Sequence, residues 1–253
     1  MIDSPLTDSP MTDSISRVPL VLLPGLLCDS ALWSHQTRYL GEVADVTVAD
    51  LTGCDSVSAL AAEVLAKAPP RFAVAGLSMG GYVALEIVRQ APERVVKLAL
   101  LDTNARADTN ARADTDKQRR RRRGLMALAD RGEFRGVTPR LLPVLIHPDR
   151  TGDEELTGEV MAMAERVGRD AFLRQQRLIM ERPDSRPMLP SIACPTLVLC
   201  GRQDAISTLE MHVEMADAIP GARLAVVEEC GHLASLERPH ATTTLMRDWL
   251  VYS

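Results

Sequence analysis

Short apolar runs and stretches of helical period take turns along most of this chain. The runs at 18–23, 43–48, 72–75, 95–101, 196–200 and 224–227 are a few residues long and rich in valine and leucine, as strands buried on both faces are. Apolar positions at helical spacing fill the gaps and predict helices over 31–40, 57–68, 81–90, 209–219 and 240–251. This alternation predicts an α/β fold, with a mostly parallel sheet flanked by helices. Pro92 sets the end of the helix over 81–90, because proline has no N–H to continue it.

The alternation breaks between 103 and about 191. That stretch holds no strand-like run of comparable quality, but helical spacing recurs over 116–131, 136–146, 154–167 and 169–181. It reads as a helical cap inserted after the strand that ends near Asp102, with the chain returning to the sheet at Pro195. The expected organisation is therefore a core from 17–102 and 192–253 with a cap at 103–191. The insertion opens with DTNARADTNARADT at 102–115, a tandem six-residue duplication whose only apolar residue is alanine, so a surface loop is expected there. Residues 1–16 are acidic and rich in proline and serine, and read as a flexible tail rather than a secretory signal.

Bulk properties narrow the function. A chain of 253 residues with 46% hydrophobic content can bury a large core, and a net charge of −5 gives no reason to expect nucleic acid or a membrane surface as partner. No apolar run is long enough to span a bilayer. The five cysteines include no C-x-x-C pair, which fits reduced thiols and a cytoplasmic protein. Cys28 and Cys230 read as small buried fillers. Arg119 to Arg123 read as a solvated helix face, and Met126, Met161, Met163 and Met180 as packing or pocket-lining residues. His35, His147, His212 and His240 lie in or beside helices and read as surface or capping histidines. No histidine pair has metal-ligand spacing, so neither a metal nor another cofactor is expected.

The chemistry concentrates in GLSMGG, where an apolar run passes into a helical pattern without a linker. Such a corner forces its central residue, Ser78, into a strained conformation. It also demands glycine at 76 and 80, where a Cβ would meet a neighbouring strand or helix. A serine hydroxyl becomes a nucleophile only when a base takes its proton and a third group holds that base. His232 follows the last strand-like run, after Gly231. Asp204, in LCGRQDAIS, follows the strand before it, and Asp102, at the end of the run 95–101, is its rival for the role of acid.

The order Ser78, Asp204, His232, together with the G-x-S-x-G corner and a tail of the form G-H-x-x-x-x-E-x-P, resembles the α/β-hydrolase superfamily from about Val18 to Tyr252. The likeness is greatest to small cap-bearing serine esterases, enol-lactone hydrolases and menaquinone-pathway enzymes. The resemblance implies Ser78 as nucleophile, His232 as base and Asp204 as its orienting acid, with Leu26 and Met79 supplying the backbone N–H groups of an oxyanion hole. The chain departs from the family at Pro24, where His-Gly is usual, so the Leu26 loop must be braced differently; nothing before Arg17 reads as strand either. The leading expectation is hydrolysis of a small-molecule ester or lactone through an acyl-enzyme. A proton-transfer lyase or C–C bond hydrolase on the same residues, and a non-catalytic binder on this scaffold, are the alternatives. The oligomeric state is left open.

Overall fold

The computed structural model describes residues 17–107 and 113–253, with side chains in the helix that opens at 113 described from residue 119. The tail expected at 1–16 and most of the second copy of the duplication lie outside the described residues. Six strands, β1 (Val18–Leu23), β2 (Ala44–Val48), β3 (Phe72–Leu77), β4 (Val95–Leu101), β5 (Thr196–Gly201) and β6 (Arg223–Val227), form one sheet in the order β2-β1-β3-β4-β5-β6. Every neighbouring pair is parallel.

Alternating side chains of the central strands feed two cores. Val21, Leu23, Val74 and Leu98 pack with α2 (Val57–Lys67), α3 (Met79–Gln90) and α7 (Leu209–Ala218). Leu20, Leu22, Ala73 and Ala99 pack on the opposite face with α1 (Ser34–Leu40) and α9 (Pro239–Tyr252). Strands covered on both faces explain the continuous apolar runs of the sequence.

The strand order reverses between β1 and β3, because the chain steps outward from β1 to β2 and then returns to the other side of β1. In open parallel sheets the crevice beyond the carboxyl ends of the strands at such a switch is where ligands bind. Ser78 and the loop after β1 both lie at that point.

Helices α4 (Ala113–Asp130), α5 (Leu142–Leu145) and α6 (Glu154–Glu181) all fall between β4 and β5. The helix expected over 136–146 shrinks to the four residues of α5, because Pro143 is tolerated only in a first turn and so bars a helix running into it from 136. The two helices expected on either side of Gly168 are present as the two arms of α6, which breaks at that glycine (φ 75°, ψ 177°). A third apolar cluster joins Leu27 of the core to Ala129 of α4 and to Ala164, Phe172 and Leu173 of α6. Arg120, Arg121 and Arg123 are exposed, while Arg119 and Arg122 turn back to donate to Met180 O and Gln176 Oε1. Among the described residues no helix is long and apolar enough to cross a membrane.

The duplicated segment corrects one expectation. Its first copy is not a surface loop: Asp102, Thr103, Asn104, Ala105 and Ala107 are all buried. Polar residues tolerate burial when each finds a partner, and here they do. Thr103 donates its N–H to His212 Nε2 and its hydroxyl to the Ser78 carbonyl, and Asp102 accepts two backbone N–H groups.

Candidate active site

Ser78 sits between β3 and α3 at φ 54° and ψ −113°, a conformation that a non-glycine residue adopts only under constraint. The constraint is packing. A Cβ on Gly76 would lie 2.2 Å from Gly80 O, and one on Gly80 would lie 2.1 Å from Leu23 O. Gly81 is equally restricted, since a Cβ there would meet Thr103 Oγ1 at 2.4 Å, a requirement that inspection of the sequence missed. The corner is pinned by Ser78 N–H donating to Leu101 O and by the Ser78 carbonyl accepting from Gly81 N–H and the Thr103 hydroxyl.

The three residues singled out in the sequence converge. His232 Nε2 lies 2.9 Å from Ser78 Oγ, and His232 Nδ1 lies 2.8 Å from Asp204 Oδ2. Asp204 Oδ1 accepts from Ile206 and Ser207 N–H, so its other oxygen is left for the imidazole. A carboxylate on Nδ1 fixes the tautomer, with Nδ1 protonated and Nε2 free to accept the serine proton. Burial alone would lower the His232 pKa. The Asp204 carboxylate, by charge and hydrogen bond, outweighs it and, with Asp102 and Glu237 behind, holds the imidazole above its ordinary range. Burial would raise Asp204, but the neighbouring imidazole and the Ser207 and Ile206 N–H groups hold it below the usual carboxylate range.

Asp102, the rival acid, is spent elsewhere. Its oxygens accept from Gly201 N–H and Ala234 N–H, both at 2.9 Å, so it ties the end of β5 to the start of the short helix α8 (Ala234–Glu237).

Two functional-looking residues escaped the sequence reading. His212, expected on a surface or cap, is fully buried: its Nε2 accepts Thr103 N–H, so Nδ1 carries the proton and donates to Thr208 O. Burial keeps it below its ordinary pKa. Glu237, present in the quoted tail but given no role, is 1% exposed and accepts N–H groups from Gly231, Leu233 and His147. A buried carboxylate needs such donors. The segment before His147 adds a direct contact, Leu145 O accepting His232 N–H. His147 is a cap as expected, its Nδ1 accepting Asp149 N–H.

On the other side of Ser78, Gly25 brings the loop after β1 into place. A Cβ on Gly25 would touch the Ser78 Cβ at 3.5 Å. Leu26 is therefore on a loop against Ser78, half-buried, and Met79 is the buried first residue of α3. Cys230 is buried as expected, whereas Cys28 retains some exposure; burial, followed by the charge of Asp29, pushes the Cys28 thiol up to about 12.

Comparison with known proteins gives the same frame. A pimeloyl-acyl-carrier-protein methyl ester esterase of Neisseria meningitidis is 29% identical over 70% of this chain and 68% of its own length. One of the same name from Aromatoleum aromaticum is 27% identical over 92% of this chain and 98% of its own. Among solved structures, a thermophilic esterase from Thermogutta terrifontis superposes with a TM-score of 0.80 at 28% identity, covering 92% of this chain and 89% of that one. The enol-lactonase of Burkholderia xenovorans LB400, at 24% identity and a TM-score of 0.76 over 94% and 93% of the two chains, shares the fold. The α/β hydrolase family model matches residues 20–244, from the first strand to the last helix and across every loop described above, so the chain belongs to the α/β hydrolase family.

Proposed function

We propose that this protein is a metal-independent serine hydrolase of small carboxylic esters or lactones, working through an acyl-enzyme on Ser78. The observation that carries the reading is the unbroken line of contacts from Ser78 Oγ through His232 to Asp204. As Ser78 Oγ attacks the acyl carbonyl, its proton passes to His232 Nε2, and Asp204 stabilises the imidazolium. The carbonyl oxygen takes up the negative charge, facing the N–H groups of Met79 and Leu26. Collapse expels the alcohol, which receives the proton from His232, and leaves an ester on Ser78. Water then enters by the reverse of these proton transfers and releases the acid. In a lactone both products stay on one molecule.

Residues 17–102 and 192–253 act in this reading as the hydrolase core and 103–191 as a cap over it. The esterase names of relatives that match along nearly the whole chain support an ester as substrate. Release of p-nitrophenol from p-nitrophenyl acetate and butyrate, with a lactone panel alongside, tests the reading. Turnover by wild type and its loss in folded Ser78→Ala, together with a phosphonate adduct on Ser78, is the expected result. Turnover that survives Ser78→Ala would end it.

A further inference from the structure

The loop after β1 has to hold a tight turn without a histidine at its start, and Pro24 has no side-chain donor to offer. Leu27 in that turn adopts φ 58°, a left-handed conformation unfavourable for a branched apolar residue. Something outside the loop must hold it there, and the contacts lead to α6. Leu27 N–H donates to Gln175 Oε1 at 3.0 Å, and the Leu27 side chain is buried against Ala164, Phe172 and Leu173. Two residues on, Asp29 receives the Arg166 guanidinium at 2.6 and 3.2 Å. The break at Gly168 lies between these grips, so each arm of α6 contributes one.

Gln175 is the centre of this arrangement. It is fully buried, and its Nε2 donates to Leu51 O at 3.2 Å, so one amide joins the loop after β1 to the loop after β2. Leucine or methionine would fill the same space with no polar group to desolvate. What the amide adds is the pair of backbone bonds, one of them to the residue beside Leu26.

We propose that Gln175 is a positioning residue for the oxyanion hole: it holds the strained turn at Leu27 so that the adjoining Leu26 N–H points at the reacting carbonyl oxygen. The inserted helices thereby set the rate of chemistry as well as covering the site. The inference rests on the reading of Ser78 as nucleophile and Leu26 as oxyanion donor.

The test is steady-state hydrolysis of p-nitrophenyl butyrate by full-length wild type, Ser78→Ala, Gln175→Met and Gln175→Glu, with thermal melts of each. Losing one oxyanion donor outright costs about a hundredfold to a thousandfold in kcat, and a displaced one less. Gln175→Met is therefore expected to lower kcat by about tenfold to a hundredfold with KM within about twofold, because the contact matters only once charge develops. Gln175→Glu keeps an acceptor for Leu27 N–H and, in its protonated form, a donor for Leu51 O, so it is expected to recover part of the loss at low pH and less as the carboxyl ionises. If Gln175→Met does not melt cooperatively, Gln175→Asn, which keeps the amide but retracts it by one methylene, takes its place with the same expectation. A folded Gln175→Met with unchanged kcat, or a loss that appears in KM alone, overturns the inference while leaving the proposed function intact. A wild type with no turnover, or turnover that survives Ser78→Ala, sinks both.

Discussion

The ends of β4 and β5 lie side by side in the sheet, and each delivers an aspartate to the same edge, yet the two carboxylates are put to opposite uses. Asp204, after β5, accepts two N–H groups of its own turn with one oxygen and faces His232 with the other. Asp102, after β4, gives one oxygen to Gly201 and the other to Ala234. Burial, reinforced by the charge of Asp204, pushes the Asp102 carboxyl well above the usual carboxylate range, whereas Asp204 is held below it. The difference teaches that the two acids are told apart by how the backbone distributes its N–H groups over their oxygens and by which oxygen faces the imidazole. Asp204 gathers both N–H groups on one oxygen and presents the other to the imidazole, whereas Asp102 has a backbone N–H on each oxygen.

Replacing each acid should separate the two uses. Asp204→Asn removes the charge that stabilises the imidazolium and favours the wrong tautomer, and is expected to lower kcat/KM on p-nitrophenyl butyrate by about a thousandfold to ten-thousandfold. Its melting temperature should move little by comparison. Asp102→Ala strands two buried N–H donors at about 1 to 3 kcal/mol each. Urea unfolding should therefore show a loss of about 2 to 6 kcal/mol. Activity per folded molecule should fall far less than in Asp204→Asn. If the two variants exchanged these phenotypes, Asp102 would be the orienting acid and the geometry at His232 would have to rearrange in solution.

That separation was only half legible in the sequence. Strand positions and the alternation with helices could be read because burial on both faces writes itself as unbroken apolar runs, and Ser78 and His232 could be read because their corners require glycine. Position after a strand left two aspartates, and only the family resemblance singled out Asp204, since the physical difference between them depends on hydrogen bonds made across the sheet. The burial of 102–107 was invisible for a related reason. A polar repeat reads as solvent-facing unless its partners are known, and those partners, His212, Gly201 and Ala234, lie about a hundred residues away in sequence. Gln175 gave no signal at all, as a glutamine on an amphipathic helix is ordinarily exposed.

The pH profile sharpens the comparison further. In the proposed mechanism catalysis needs neutral His232, and with its pKa raised above 6.5 the acid limb of kcat/KM should lie above that value. In Asp204→Asn, burial acts on the imidazole with less opposition, so the limb of the residual activity should move to lower pH. A limb unmoved by Asp204→Asn would mean that another group controls it. Stability follows the same shifts, in opposite directions for the two groups. Asp204, depressed in the fold, contributes above its unfolded value of about 3.9 and loses that contribution as pH falls through the folded one. His232, raised in the fold, contributes fully below about 6.5 and loses its share as pH rises through its folded value. The pair should therefore stabilise the fold most between about pH 4 and about 6.5, on the acid side of the activity range.

The smallest expected effect tests whether the end of β4 reaches the chemistry at all. Thr103 touches Ser78 only through its carbonyl, which also accepts Gly81 N–H, so Thr103→Val leaves no orphaned group on Ser78. The variant keeps the shape that fills the space against Gly81 and keeps the backbone N–H that His212 needs. What it loses is one neutral hydrogen bond, about 1 kcal/mol, and what it gains is the burial of a methyl in place of a hydroxyl. If that bond merely adds to the fold, unfolding will show the loss and kcat will not. If it also holds Ser78 at φ 54°, kcat will fall by a few-fold at constant KM, because relaxation of the strained corner moves Oγ off His232 Nε2 while the binding surface stays in place. The second outcome is expected, since Ser78 has no other side-chain contact on its carbonyl among the described residues, and it would make β4 a contributor to the proposed nucleophile as β5, through Asp204, is to the proposed base.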